Sequence, residues 1–245
     1  RRRQVGADVA HTQAWKNASW AGKIGYTNIR PYFGLINQEI DWEKAPVSIE
    51  GSSAYRQRVG KNGMFKVYGN FNHSNFALHH HDIDDYDVTT LIDITNNFRY
   101  INGSYKTSLN EKWSLRSGLS YTLTQNDLQQ GDIRLNEFDE GTHAKVVFDG
   151  SISDKVEIRT GAEVINRDYR AAVDTSAFVP GFHEVISAAF VEADLYASNK
   201  FVTRVGGRVE HNNLLNQFSL DPRISLAYKT GKSGQVSFAY GKFRQ

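Results

Sequence analysis

The sequence contains no cysteine, only 4 prolines and no long hydrophobic run. The absence of cysteine excludes disulfide frameworks, thiolate metal sites and cysteine nucleophiles. No apolar stretch approaches the roughly 18 residues that a transmembrane helix needs. A formal net charge of only +2 gives no reason to expect a nucleic-acid partner. Glycine-rich phosphate loops, zinc-protease motifs and nucleophile elbows are also missing from the sequence, so we expect neither an enzyme nor a bound cofactor.

What the sequence does contain is a sustained period-2 alternation of polarity. Between Trp113 and Leu123, apolar or aromatic residues at most odd positions alternate with polar residues at even positions. An alternation of about ten residues matches a tilted strand that crosses a bilayer, and it exceeds the strand length common in soluble sheets. The pattern therefore predicts a strand with lipid on one face and a polar environment on the other.

The same alternation recurs along the chain and predicts roughly 12 strands, with no convincing helical periodicity. Short connections are predicted near residues 60–63, 109–110, 153–154, 198–199 and 230–233. Longer polar connections are predicted at 41–51, 78–87, 126–136, 171–181 and 211–217. Short and long connections alternate along the chain. In an up-and-down meander, successive connections lie at opposite ends of the strands, so the short ones fall at one end and the long ones at the other. This order predicts an antiparallel, up-and-down transmembrane β-barrel with tight turns at one end.

Aromatic residues near the predicted strand ends agree with this interpretation. Amphipathic rings at both ends of membrane strands form interfacial girdles. Ordinary β-propensity is the alternative explanation, because aromatic residues favour strands in any sheet. The candidate girdle residues are Tyr100, Trp113, Tyr121, Phe201 and Tyr228.

Three stretches of the sequence resemble barrel strands of TonB-dependent outer-membrane receptors. The first is Lys23-Ile24-Gly25-Tyr26-Thr27 followed by Asp41-Trp42, and the second is Tyr55-Arg56-Gln57-Arg58 leading into Asn62-Gly63-Met64-Phe65-Lys66. The most specific is Asp221-Pro222-Arg223-Ile224-Ser225-Leu226-Ala227-Tyr228 with the following Ser237-Phe238-Ala239-Tyr240-Gly241. The resemblance extends over essentially the whole chain. It consists of residue patterns typical of barrel strands, and none of them is a catalytic signature.

The resemblance implies a bacterial outer-membrane protein that takes up a scarce nutrient such as an iron chelate, a cobalamin or a glycan. Its implied partners are the lipid bilayer, its own plug domain, an inner-membrane energy-coupling complex, and the small-molecule or oligomeric nutrient. Such receptors have about 22 strands around a plug. No plug or TonB box is visible in this sequence, so residues 1–245 are expected to form a partial β-barrel domain. A complete barrel of about 12 strands is the alternative.

Two other functional classes remain open from the sequence. One is a passive channel or adhesion barrel without energy coupling, and the other is a soluble β-sandwich binding module. Recovery in aqueous buffer without detergent would identify the soluble module. The sequence gives no information on the substrate itself.

Charged residues on the polar side of the predicted strands are the main candidate functional residues. Because charges on a lipid-facing surface are costly, we expect them to point into the barrel lumen. There they would form ion pairs between strands, contact a plug or line a substrate route. The candidates are Arg116, Glu157, Arg159, Glu163, Arg204, Arg208, Glu210, Asp221 and Arg223.

A histidine and aspartate cluster is the one weak candidate for a metal site. Imidazole and carboxylate groups are ligands for Zn²⁺, Ni²⁺ and Cu²⁺. Adjacent histidines in a predicted loop are poorly preorganised, however, and no cysteine is present to complete a tight site. A solvated loop is therefore the favoured interpretation of His79, His80, His81, Asp82 and Asp84.

Overall fold

A computed structural model describes residues 5–33, 40–81, 89–174, 179–231 and 233–242. In these ranges 12 antiparallel strands form one sheet, and each strand pairs with its neighbours in the sequence. The predicted all-β, up-and-down architecture with roughly 12 strands is therefore confirmed. The strands are β1 (Val5–Ala14), β2 (Ala18–Asn28), β3 (Asp41–Val59), β4 (Gly63–His81), β5 (Thr89–Ser108), β6 (Trp113–Gln130), β7 (Ile133–Ser153), β8 (Val156–Val173), β9 (Gly181–Ser198), β10 (Phe201–Asn212), β11 (Gln217–Lys229) and β12 (Gln235–Gly241).

The register gives the sheet one apolar face and one polar face. Residues directly opposite each other on paired strands point to the same side of a sheet. Leu119 lies opposite Ala144 on the apolar face, whereas Arg116 points to the other side. We call these two sides the apolar face and the polar face. Exposed members of the apolar face include Ile24, Phe71, Ile101, Leu119, Phe148, Val164, Val191, Val205, Leu220 and Phe238.

The apolar face is apolar along only about half of the longest strands. On β8 it carries Val156, Ile158 and Val164 near the preceding short turn, and then Asn166 and Asp168 farther along. On β6 the same change follows Leu123, after which the residues on this face are Gln125, Asp127 and Gln129. The apolar half spans about ten residues, which matches the hydrocarbon thickness for a tilted strand. We call this half the apolar band and the remainder the distal extension.

The sheet has almost no core of its own. The chain exposes 17212 Å², whereas a compact protein of its mass would expose about 11,000 Å². Among the described residues, the buried hydrophobic side chains are Ala77, Val147, Ala171 and Ala188, and no large side chain is fully buried. A soluble β-sandwich buries the facing sides of two sheets, so this single sheet does not have that architecture.

Connection lengths agree with the prediction at one end of the sheet and differ at the other. Each of the five predicted short connections separates two consecutive strands by two to five residues, and residues 15–17 form a sixth short connection. The predicted long connection at 126–136 is wrong, because β6 and β7 continue to a two-residue turn at Gly131 and Asp132. Gly131 adopts a φ of +59°, which glycine accommodates without steric cost. These residues belong to the distal extension, where the apolar face of the band gives way to polar residues and the polarity alternation is lost.

A further difference lies in the N-terminal quarter. Residues 41–51, predicted as a connection, form the first part of β3, which contains irregular pairing between Trp42 and Val47. The preceding strand β2 ends at Asn28 and is followed by one helical turn, α1 (Arg30–Phe33). No helix in the described ranges is long and apolar enough to cross a membrane.

An aromatic row follows the short-turn edge of the apolar face. Phe201 lies opposite Tyr228 there, and Trp113 begins β6, as the girdle interpretation predicts. Tyr121 lies at the other edge of the apolar band. Tyr100 is different, because it points to the polar face in the middle of β5. Other members of the short-turn row are Trp20, Tyr55, Phe65 and Tyr105.

Trp113 covers a glycine on the neighbouring strand. Gly150 lies opposite Trp113, and a Cβ atom at Gly150 would overlap the indole ring. We expect Gly150→Val to displace the ring and lower the free energy of unfolding by about 1–3 kcal/mol. Urea unfolding in lipid vesicles measures this change. Gly207→Val is the matched control, because a Cβ there meets open space, and an equal loss in both variants would contradict the packing argument.

Candidate functional site: the charged polar face

The structure places all nine predicted charged residues on the polar face of the sheet. They lie on four strands, β6, β8, β10 and β11, and alternate with residues of the apolar face on each strand. Six of the nine residues are brought together in two groups at different heights. One group lies beside the short turns, and the other lies near the middle of the sheet.

The group beside the short turns forms a ladder of ion pairs across five strands. The Asp149 carboxylate on β7 accepts hydrogen bonds from Arg116 at 2.9 and 3.1 Å and from Arg159 at 2.6 Å. On the next strands, Arg204 donates to Asp194 at 2.6 and 2.8 Å. The Arg159 guanidinium also lies 4.0 Å from the carboxylate of Glu192, which is on the same strand as Asp194. We call this arrangement the basal ladder, and it borders an open cavity of about 500 Å³.

The second group is organised around the Glu163 carboxylate, whose side chain is only 8% exposed. Lys145 contacts this carboxylate at 2.8 Å and His143 contacts it at 3.1 Å. Arg208 donates a further short hydrogen bond to Glu163 and also pairs with Glu210 at 2.7 Å. A carboxylate this buried is stable only when its charge is compensated. We call this group the central cluster.

Asp221 and Arg223 extend the charged surface onto β11. Asp221 lies directly opposite Arg208 and is 4% exposed, and Arg223 lies opposite Gly206. The Ser219 hydroxyl lies 3.4 Å from the Asp221 carboxylate. Both residues therefore belong to the same continuous polar surface as the central cluster.

The distal extension carries a third set of contacts on the polar face. Arg167 makes a two-point hydrogen bond with Asp139, at 3.0 and 2.6 Å. Tyr169 donates to Glu137 at 2.8 Å, and this interaction raises the pKa of the Tyr169 hydroxyl. The Tyr169 ring also stacks on Phe182, with 5.5 Å between the centroids. None of these residues was among the candidates from sequence.

The partners of the candidate residues were also missed by the sequence prediction. Asp149, Asp194 and Lys145 complete the ion pairs, yet none of them was among the candidate residues. Extending the alternation along β7 and β9 would have found them. Asp149 and Lys145 lie an even number of residues from His143 along β7 and are therefore on the same face of that strand, and Asp194 lies on the same face of β9 as Glu192.

Exposure determines how much each ion pair contributes to stability. The Arg204 side chain is 46% exposed, and exposed pairs contribute little because water screens them. We expect a double-mutant cycle with Asp194→Asn and Arg204→Gln to give a coupling energy of about 0.5–1 kcal/mol. The coupling should fall as NaCl is raised, since exposed pairs are screened. A coupling unaffected by salt would show that this pair lies in a drier environment.

The candidate metal residues do not converge in the described part of the chain. The prediction that His79, His80 and His81 lie in a loop is wrong, because they are the last residues of β4, and alternation directs His80 to the face opposite His79 and His81. His79 contacts Glu43 at 3.3 Å. Asp82 and Asp84 lie outside the described residues. Within the described ranges, no group of three or more histidine, aspartate or glutamate side chains is placed to hold a metal ion.

The sheet order and the two contrasting faces define the wall of an up-and-down barrel. Solved structures with this fold include the siderophore receptor PirA from Pseudomonas aeruginosa, with a TM-score of 0.64 and 9% identity over 94% of this chain and 38% of that chain. The outer membrane transporter YddB from Escherichia coli has a TM-score of 0.71 and 9% identity over 96% of this chain and 38% of that chain. The copper transporter OprC has a TM-score of 0.68 and 8% identity over 97% of this chain and 44% of that chain.

At these identities the comparison shows the fold. The resemblance to the barrels of TonB-dependent receptors is therefore confirmed at the level of architecture. The chain spans about two fifths of the length of these solved structures. No protein-family model matches the chain, and no curated protein matches it in sequence.

Proposed function

We propose that this chain is part of the barrel wall of a bacterial outer-membrane receptor that takes up a scarce nutrient in a TonB-dependent, energy-coupled manner. The observation that carries the proposal is the pairing of an apolar face, about ten residues tall, with a charged polar face along consecutive strands. The large exposed area and the missing core are explained when lipid covers the apolar face. The barrel fold shared with receptors and transporters gives further support.

In this proposal the polar face is the wall of the lumen. The basal ladder then lies at the end with short turns, which in outer-membrane barrels is the periplasmic end. The nine charged candidates, from Arg116 on β6 to Arg223 on β11, stabilise the wall through ion pairs and present charge to a plug domain or a passing substrate. Residues 1–245 supply scaffold and conduit, and energy coupling belongs to an inner-membrane complex that acts on the plug.

The nutrient is proposed at the level of class only, as an iron chelate, a cobalamin or a glycan. PirA is a siderophore receptor and OprC is a copper transporter, so proteins with this fold take up different cargo. The fold alone therefore does not select among these nutrient classes, and for this chain the choice has to be argued from the residues of the polar face.

Membrane fractionation followed by an uptake assay tests the proposal. We expect the full-length protein to sediment with outer membranes and to require detergent for extraction. Uptake should stop when the inner-membrane energy-coupling complex is deleted or the proton gradient is collapsed. Recovery in aqueous buffer without detergent would refute the barrel, and uptake that persists without energy coupling would indicate a passive channel.

A further inference from the structure

The polar face is divided into a charged region and a region without formal charge. The uncharged region covers alternate residues from Tyr68 to Ser74 on β4, from Asn96 to Asn102 on β5, and from Ser120 to Asn126 on β6. Adjacent strands pair in register here, with Tyr68 opposite Asn102 and Asn102 opposite Ser120. The result is a grid of four positions on each of three strands, about 20 Å by 10 Å. We call it the neutral sector.

Charged groups border the neutral sector on both sides. On one side Lys23 pairs with Glu50 at 3.5 Å. On the other side the first neighbours are residues of β7, and Asn126 donates to Glu137 at 3.3 Å. Within the sector every position is an aromatic, amide or hydroxyl side chain. The sector therefore lies between two charged parts of the same polar face.

The aromatic residues of the sector present usable ring surface. Tyr68 and Tyr100 lie 6.2 Å apart between ring centroids, at an interplanar angle of 54°. Tyr68 is 41% exposed although it points to the polar face. A hollow of about 240 Å³ beside Tyr68 is bordered by Asn70 and Asn72 of the sector and by the flanking Lys23 and Glu50. Exposed aromatic faces with polar neighbours suit a ligand that has both apolar C–H surfaces and polar groups.

The amide side chains of the sector supply unused hydrogen-bonding capacity. Asn96 donates to Asn126 at 2.5 Å. Asn70, Asn72 and Asn102 make no side-chain hydrogen bond to any other described residue. Each carboxamide has two donor hydrogens and an acceptor oxygen. Neighbouring hydroxyl groups on a sugar ring need the same combination, because each hydroxyl both donates and accepts.

We propose that the neutral sector is a binding surface for a neutral oligosaccharide, which selects the glycan class for the receptor proposed above. The sugar rings stack their C–H faces on Tyr68 and Tyr100, while Asn70, Asn72 and Asn102 hydrogen-bond the ring hydroxyls. An anionic metal chelate finds no compensating cation within the sector, and a charge without a partner is costly to desolvate. This inference rests on the proposed function, because the polar face is a lumen wall only in a closed barrel.

Calorimetric titration of the detergent-solubilised full-length receptor tests the inference. The probes are maltohexaose, cellohexaose and xylohexaose as neutral hexasaccharides, with ferric citrate as the anionic chelate. We expect at least one hexasaccharide to bind, and we expect Tyr100→Ala and Asn102→Ala each to weaken that binding by tenfold or more. Asn97→Ala is the matched control and should bind as the unmodified receptor does, because Asn97 lies on the apolar face of the same strand.

Two results would overturn the inference. The first is a receptor that binds none of the three hexasaccharides, and the second is hexasaccharide binding that Tyr100→Ala and Asn102→Ala leave unchanged. In either case the neutral sector would serve another purpose, such as contact with the plug. Energy-dependent uptake of ferric citrate by the same receptor would leave the proposed function intact while excluding the glycan assignment.

Discussion

Replacing Leu119 with arginine is expected to destabilise the protein by about 2–4 kcal/mol in a bilayer. Leu119 is 56% exposed and lies near the middle of the apolar band on β6. In a water-soluble protein, an exposed leucine can be replaced by arginine with little effect on stability. The cost arises only if the medium around Leu119 is hydrocarbon. Urea unfolding in lipid vesicles measures the free energy, and the amount of protein in outer membranes reports the effect in cells.

Ser120→Arg is the matched control for this experiment. Ser120 is the next residue on the same strand and points to the polar face. We expect its replacement to leave membrane insertion and unfolding nearly unchanged, because lumen-facing substitutions do not meet lipid. Equal stability of both variants would contradict the membrane assignment, whereas a larger loss in Ser120→Arg would show that the two faces have been assigned in reverse.

Glu163→Gln is expected to lower the free energy of unfolding by about 3 kcal/mol. The substitution keeps the size of the side chain but removes the negative charge that compensates Lys145, Arg208 and, when protonated, His143. Arg208 is only 17% exposed, so it cannot recover full hydration after the loss. Urea unfolding of the full-length receptor in vesicles, monitored by its gel mobility, measures the effect.

Glu157→Gln separates the role of burial from the role of charge. Glu157 lies on the same strand and the same face as Glu163, but it is exposed and accepts only a 3.3 Å hydrogen bond from Tyr196. We expect a change below about 1 kcal/mol, as for other exposed charges. A loss equal to that of Glu163→Gln would mean that general charge balance on the polar face, rather than the central cluster, controls stability.

The architecture could be predicted from the sequence wherever the two faces meet different media. On β6 and β8 the alternation of apolar and polar residues is strong inside the apolar band, and these strands were found. The alternation fails in the distal extension, where Gln125, Asp127 and Gln129 replace apolar residues on one face, and the hairpin around Gly131 was therefore mistaken for a loop. It also weakens along β3, where Gly51, Ser53 and Ala54 give little contrast between the faces.

The candidate site was predictable in position but not in pairing. Parity alone assigns Arg116, Glu163 and Arg208 to the polar face, because a charge on the lipid side is costly. Which of these charges meet depends on strand register, and register is a property of two strands rather than of one. The partnership of Glu163 with Arg208 joins residues 45 positions apart and needs the intervening strand to be placed.

The consecutive order of the strands has a consequence for how such a wall changes in evolution. From β2 to β11, each strand pairs only with the strands that precede and follow it in sequence. A hairpin can therefore be duplicated or deleted while the pairs on either side keep their register, apart from the single new junction. Backbone hydrogen bonds between strands of the described ranges are likewise confined to strands that are neighbours in the sequence. The circumference of such a barrel can thus grow or shrink in steps of two strands without redesign of the remaining wall.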